Sequence, residues 1–245
     1  MEEFFSSDVI KTEAKEHLKT RLGSAILFLL LTGVINSTIN RFSSGLFYNS
    51  LPISEWKTML PTEIVRRSFS ETFSINGLFH SFITGVVSAG TALASVSFYL
   101  HMTRSQEKVS FIDMLVFGFR HLPAAFLFYL LREVIIRFGI ILFIIPGIIW
   151  SLEYIFVMYI LADHPDMPVL QAFRRSSELT KGRKMDLFNF HLSFIPLFLL
   201  VPITLGLAIF YIAPLYSSSL AVYYNRLIYQ EEGVVPDAPI GITET

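Results

Sequence analysis

The chain of 245 residues is 53% hydrophobic and 16% charged, with a mean hydropathy of +0.56 and a net charge of −1. Ordinary soluble domains carry about 25% charged residues, and one aqueous core of this size cannot hide so much apolar side chain, so lipid is the expected solvent. The charge balance gives no pull toward nucleic acid, and the absence of cysteine excludes disulfides, thiolate metal sites and cysteine nucleophiles.

The N-terminal stretch MEEFFSSDVIKTEAKEHLK is acidic and then amphipathic, and the apolar run begins only after Arg21, so no cleavable secretory signal is expected. Residues 8–20 predict a short helix with Asp8 as N-cap, Val9 and Leu18 on one side and Lys11, Lys15 and Lys19 on the other. Residues 22–40 lack an ionisable side chain, about enough at 1.5 Å per residue to cross ~30 Å of hydrocarbon. Residues 41–78, broken by Pro52 and Pro61, form the longest polar interval and are expected outside the cytoplasm. The second span, 79–103, is rich in Gly85, Ser88, Ala89, Gly90, Ala92, Ala94 and Ser95, the residue sizes that let helices approach closely in lipid.

Ser110 followed by Asp113 opens a second amphipathic segment over 110–120, too short to span and suited to the interface. A third span over 122–145 carries Arg132, Glu133 and Arg137. Pro146-Gly147 is read as a tight reversal into a fourth span, 148–162, containing Glu153. A third amphipathic segment, 168–181, starts at Pro168 and stops at Gly182, a suitable C′ residue. The charge-poor run that follows is too long for one crossing and divides near Thr204–Gly206 into spans 187–204 and 206–228.

The pattern defines an all-α polytopic membrane helix bundle. It has six transmembrane helices and three short cytoplasmic interfacial amphipathic helices in one integral membrane domain, 1–230, followed by a disordered cytoplasmic tail, 231–245. Lys and Arg concentrate in 11–21, 104–120 and 174–184 and at Arg226, against only Arg41, Lys57, Arg66 and Arg67 in the long polar interval. The positive-inside bias therefore places both termini in the cytoplasm. An amphipathic segment leads into a two-span hairpin three times over, a weak internal repeat.

The letters from 143 onward carry a family pattern. Ile145-Pro146-Gly147-Ile148, Tyr154, Tyr159-Ile160-Leu161-Ala162-Asp163 with Pro165, Ala172, Ser176, Lys181-Gly182, Leu187-Phe188 and Leu192-Ser193-Phe194-Ile195 follow in order and spacing, and the likeness continues loosely through Pro214 and Tyr223. This stretch resembles the bacterial integral membrane family called domain of unknown function 975. Pro168 stands where a capping serine is usual and Pro196 where glycine is more typical. The resemblance implies a six-helix protein of the bacterial cytoplasmic membrane and supplies no activity, substrate, cofactor or site residue.

Two groups of residues are candidate sites. Arg132, Glu133, Arg137 and Glu153 each cost roughly 2.5–3.5 kcal/mol at mid-helix on insertion scales, so they should face protein or water. Counted from Pro146-Gly147, Arg137 lies ~14 Å deep and Glu153 ~10 Å. They read either as an ion pair locking two spans or as a polar path for transport. Arg174, Arg175, Lys181, Arg183 and Lys184 form a cationic surface for anionic lipid headgroups or a membrane-protein partner, unless they are plain positive-inside bias. No metal or cofactor is expected: no two of the six histidines stand at i, i+4, and GxSxG, P-loop and GxGxxG motifs are absent. The expected function is a non-enzymatic helper, scaffold or lipid-interacting component. The alternative is a transporter or channel subunit; an intramembrane lipid-modifying enzyme built on His121 or His164 ranks last.

Overall fold

The computed structural model describes residues 5–47, 62–63, 70, 74–105, 110–142 and 144–233, with side chains from 133 to 146 excepted apart from the chain path. All regular elements among the described residues are helical. They are α1 (Ser7–Lys19), α2 (Leu22–Phe47), α3 (Ile75–Arg104), α4 (Phe111–Arg120), α5 (Leu122–Leu142), α6 (Ile144–Glu153), α7 (Val157–Asp163), α8 (Val169–Thr180), α9 (Lys184–Leu192), α10 (Ile195–Ile203) and α11 (Ile209–Glu231).

Helix α3 is the axis of the bundle and packs on α2, α4, α5, α7 and α11. Its small residues make this possible: Ala89 and Ala94 are fully buried, and Gly118 of α4 sits directly on the backbone of Gly90 and Ala94. Phe28 of α2 stacks on Phe98 of α3 with ring centroids 4.4 Å apart. Polar bonds tie the same two helices together. Asn36 Nδ2 donates to Thr91 Oγ1 at 2.9 Å, and Ser88 Oγ donates to Asn36 Oδ1 at 3.2 Å. In lipid, where no hydrophobic force draws helices together, packing of small residues and such bonds supply the association.

Among the described residues, three helical stretches are long and apolar enough to cross a membrane: Leu22–Phe47, Ile75–Arg104 and the kinked Lys184–Ile203. Phe111–Arg120 with Leu122–Arg132, bent by 69°, makes a fourth if the pair is one broken span. The outer surface matches that solvent: Leu27, Val34, Phe79, Phe82, Ile112, Val116, Leu199 and Ile203 are all exposed.

Several sequence expectations shift. The first span continues past Arg41 to Phe47, because an arginine at a membrane boundary ends an apolar run without ending a helix. The predicted fourth span is not one helix: α6 stops at Glu153 and the chain turns over 154–156 before α7 begins. Pro146-Gly147 is not the reversal, since both lie in the first turn of α6, where proline's missing N–H has no helical acceptor to lose. The helix expected over residues 8–20 forms, with a different buried face. Helix α1 packs on α11 and buries Ile10, Glu13, Ala14, His17 and Leu18, while Val9 stays exposed. The N-cap position is Ser6, which makes no side-chain cap, and Asp8 sits inside the first turn.

Other expectations hold. Ser110 caps α4 through a bond from the Asp113 amide at 3.4 Å. Gly182, with φ of +78°, follows α8 in the left-handed conformation that suits glycine. The division near Thr204–Gly206 is a turn with φ of 51° at Leu205 and 90° at Gly206, closed by Gly206 N donating to Val201 O at 2.8 Å. The polar interval 41–78, beyond its helical ends and the residues 62–63, 70 and 74, lies outside the described residues, as does the tail from 234.

Candidate functional site

Polar side chains gather where α3, α7 and α11 end and α1 lies across α11. The last residue of α3, Arg104, points its guanidinium at the last residue of α7: Nη1 and Nη2 donate to the two carboxylate oxygens of Asp163 at 2.6 and 2.8 Å. This two-point fork is the strong form of the carboxylate–guanidinium pair. Nε of Arg104 donates to Asn225 Oδ1 at 2.8 Å, and Asn225 Nδ2 donates to Thr103 Oγ1 at 3.0 Å. The C-termini of two long helices are thereby clamped to α7. Arg21 reinforces the end of α3 by donating to Met102 O at 3.3 Å and Ser105 O at 2.7 Å.

At the residue that follows Asn225, α1 is pinned by a second pair. Arg226 Nε donates to Glu13 Oε2 at 3.1 Å and Nη2 reaches the same oxygen, with Glu13 only 4% and Arg226 5% exposed. His17 lies one turn along α1, its Nε2 3.9 Å from Glu13 Oε1. Burial alone drives the Glu13 carboxyl upward, but His17 and the Arg226 guanidinium outweigh it and hold it below the usual carboxylate value. Half a turn before Glu13, Lys11 donates to Ser193 O at 2.7 Å and sits 4.5 Å from the Phe194 ring centroid.

Two recesses flank the Arg104–Asp163 pair. One, of about 90 Å³, is lined by Ser97, His101, Met114 and Phe117 as well as the pair itself. The other, of about 370 Å³, is lined by the same pair with His164, Asn225, Ile228, Tyr229 and Glu232. Tyr224 closes the pair from below, its ring centroid 5.9 Å from the Arg104 guanidinium carbon.

Of the first predicted group, the structure describes the side chains of Arg132 and Glu153. Glu153 finds its partners on α8 and α9: Lys184 Nζ donates to Oε2 at 2.6 Å, Ser177 Oγ donates to Oε1, and the Glu153 backbone carbonyl accepts from Ser176 Oγ at 2.7 Å. Arg132 is exposed. The side chains of Glu133 and Arg137 lie outside the described residues.

The predicted cationic surface is largely committed to internal bonds. Arg175 Nη1 donates to Glu231 Oε1 at 2.7 Å, and Arg183 Nη2 donates to Gln230 Oε1 at 2.6 Å with its guanidinium carbon 3.8 Å from the Phe5 ring centroid. Lys184 holds Glu153. Arg174 and Lys181 are exposed and make no ion pair among the described residues; Arg174 faces a shallow depression of about 720 Å³ shared with Leu170, Gln171 and Glu178.

Sequence reasoning missed Glu13, Arg104, Asp163, Asn225 and Arg226 because their partners stand 59 to 213 positions away. One signal was present. Glu13 and His17 share the helix face of Ile10 and Ala14, which an exposed acidic residue has no reason to do.

Fold and site together define an all-helical bundle with an apolar outer surface and a cross-braced polar end. Residues 134–231 match the family described as "Protein of unknown function (DUF975)", so the resemblance read from the residues after 143 holds over that stretch. No curated protein and no solved structure matches the chain.

Proposed function

We propose that this chain is a six-crossing protein of the bacterial cytoplasmic membrane with both termini inside, acting as a non-enzymatic helper or scaffold that contacts lipid. The observation that carries this reading is the mutual satisfaction of the charges brought to the bundle's polar end. Glu13 holds Arg226, Asp163 holds Arg104 and Glu153 holds Lys184. Pairs of this kind lock helices in one arrangement; a translocation path needs charges that water or solute reaches. Arg174 and Lys181 remain available for anionic headgroups or an acidic partner surface.

Reconstitution into proteoliposomes tests the reading. The expected result is no more ion or solute flux than in protein-free vesicles, with normal accumulation of wild-type protein. Flux abolished by Glu153→Gln at unchanged abundance would replace this proposal with the transporter reading, in which Arg132, Glu133, Arg137 and Glu153 line a path. The cysteine-free sequence also makes orientation testable by single-cysteine labelling. A cysteine at Thr62 is expected to react from outside intact cells, and one in the tail only after permeabilisation; the reverse pattern overturns the topology.

A further inference from the structure

Gly118 sets α4 against α3 at Gly90 and Ala94. Three residues past Ala94 begins the smaller recess beside the Arg104–Asp163 pair, of about 90 Å³. Ser97 and Leu100 are buried at its inner end, and His101 and Arg104 are exposed at its mouth. From Ser97 to Arg104 the lining follows α3 for about 10 Å, at 1.5 Å per residue.

The Ser97 hydroxyl is the group that asks for a guest. The residue is 4% exposed, and its oxygen has no hydrogen-bond partner among the described residues. Elsewhere on α3 the hydroxyls of Thr84, Thr91, Ser95 and Thr103 each donate to the carbonyl one turn back, and Ser97 does not. Buried hydroxyls are bonded as a rule, so one left over beside a recess calls for a partner inside it. His101, one turn along the same helix face, makes no hydrogen bond among the described residues either.

Neither kind of ion suits this space. Both carboxylate oxygens of Asp163 accept from Arg104, and that guanidinium also donates to Asn225, so the pair answers its own charge. Leu100, Met114, Phe117 and Ala162 line the rest, and such walls cannot replace the hydration shell of an ion. What remains is a serine and an imidazole, each able both to donate and to accept. The volume is several times the roughly 10–15 Å³ that one water needs, and the unbonded groups supply about the two to four polar partners such a molecule requires. We infer that this recess binds a neutral hydroxyl group, held by hydrogen bonds to Ser97 and His101 beside the Arg104–Asp163 pair. Water and the glycerol headgroup of a membrane lipid share this chemistry. The inference goes beyond the helper reading above and draws on its lipid contact only where the guest is a lipid.

The cysteine-free sequence supplies the test. Ser97→Cys, close to isosteric, puts a single thiol in the recess of the full-length protein, held in phosphatidylcholine nanodiscs so that reagents reach both faces. Methanethiosulfonates carrying a neutral hydroxyethyl, a cationic aminoethyl or an anionic sulfonatoethyl group are compared by mass spectrometry, each rate taken relative to the denatured variant. The hydroxyethyl reagent is expected to react about tenfold faster than either charged one. Slowing by added phosphatidylglycerol and not by equal phosphatidylserine, which has the same charge and no glycerol headgroup, identifies the lipid as guest. A rate that both lipids alter alike identifies water. A charged reagent that matches the neutral one, or a thiol that no reagent reaches before denaturation, overturns the inference. Where the cysteine variant does not fold, Ser97→Ala decides: a thermal midpoint lowered by about 2–4 °C supports a bonded guest, and one unchanged or raised overturns it. The flux and labelling experiments do not involve this recess, so the two proposals fail separately.

Discussion

Replacing Gly118 by alanine isolates the contact on which the bundle's axis depends. A Cβ at this position lands on the carbonyl oxygen of Gly90 and comes within 2.8 Å of the Ala94 nitrogen and 2.9 Å of the Ala94 Cβ. These atoms belong to the α3 backbone and its first carbon, so no rotamer change relieves the contact and α4 must move off α3. Overpacking of this kind costs about 1–3 kcal/mol, and the backbone target puts it at the upper end. The exchange also gains about 0.8–1.0 kcal/mol of helix propensity, leaving a net loss of roughly 2 kcal/mol. For a chain of this size that is a fall of about 4–8 °C in the unfolding midpoint, measurable in detergent micelles by circular dichroism. Gly90→Ala is the internal control. The atoms nearest its added carbon are those of the Phe119 ring, at 3.0 and 3.1 Å, and a Leu122 methyl at 3.3 Å. Side chains give way more cheaply than backbone, so the propensity gain offsets most of the cost and the midpoint should move little. A Gly118→Ala midpoint equal to or above wild type, or below-wild-type midpoints in the opposite order, would refute the close approach of α4 to α3.

Three further outcomes are expected. Glu13→Gln removes the carboxylate that accepts from the buried Arg226 guanidinium and should lower stability by about 1.5–3 kcal/mol in the same unfolding assay, the range for a hydrogen bond to a charged group. The pH dependence follows from the depressed carboxyl of Glu13: its contribution is complete above the unfolded value of about 4.3 and is lost as pH falls through the lower folded value. The midpoint difference between wild type and Glu13→Gln should therefore shrink on acidification, and a widening difference would contradict the assignment. Glu153→Gln and Lys184→Met should be non-additive, with a coupling on the order of 1 kcal/mol in a double-mutant cycle, because the two side chains meet at 2.6 Å.

Hydropathy reports how apolar a stretch is, and it located α2, α3 and the α9–α10 region because each is long and apolar enough to cross a membrane. Local chemistry fixed three boundaries: Ser110 as a cap, Gly182 as a stop, and the turn at Leu205 and Gly206. Both signals are short-range, and the site is not. Charges near span ends read as solvated from the sequence, because nothing local distinguishes an arginine that meets water from one that meets an aspartate on another helix. Arg104 and Asp163 each end a helix, where positive-inside reasoning predicts a free charge; the fold spends them on each other. The same reasoning explains why Lys184 and Ser177 are not legible as partners of Glu153, which ends α6 just before the turn at 154–156. Helix α11 shows the converse. It is buried along Ile212 to Leu227 and falls outside the stretches apolar enough to count as spans, because its Ser218, Ser219, Asn225 and Arg226 face protein. An interior helix is free to be polar where its neighbours answer each group, so the central position of α11 and its modest hydropathy have one cause.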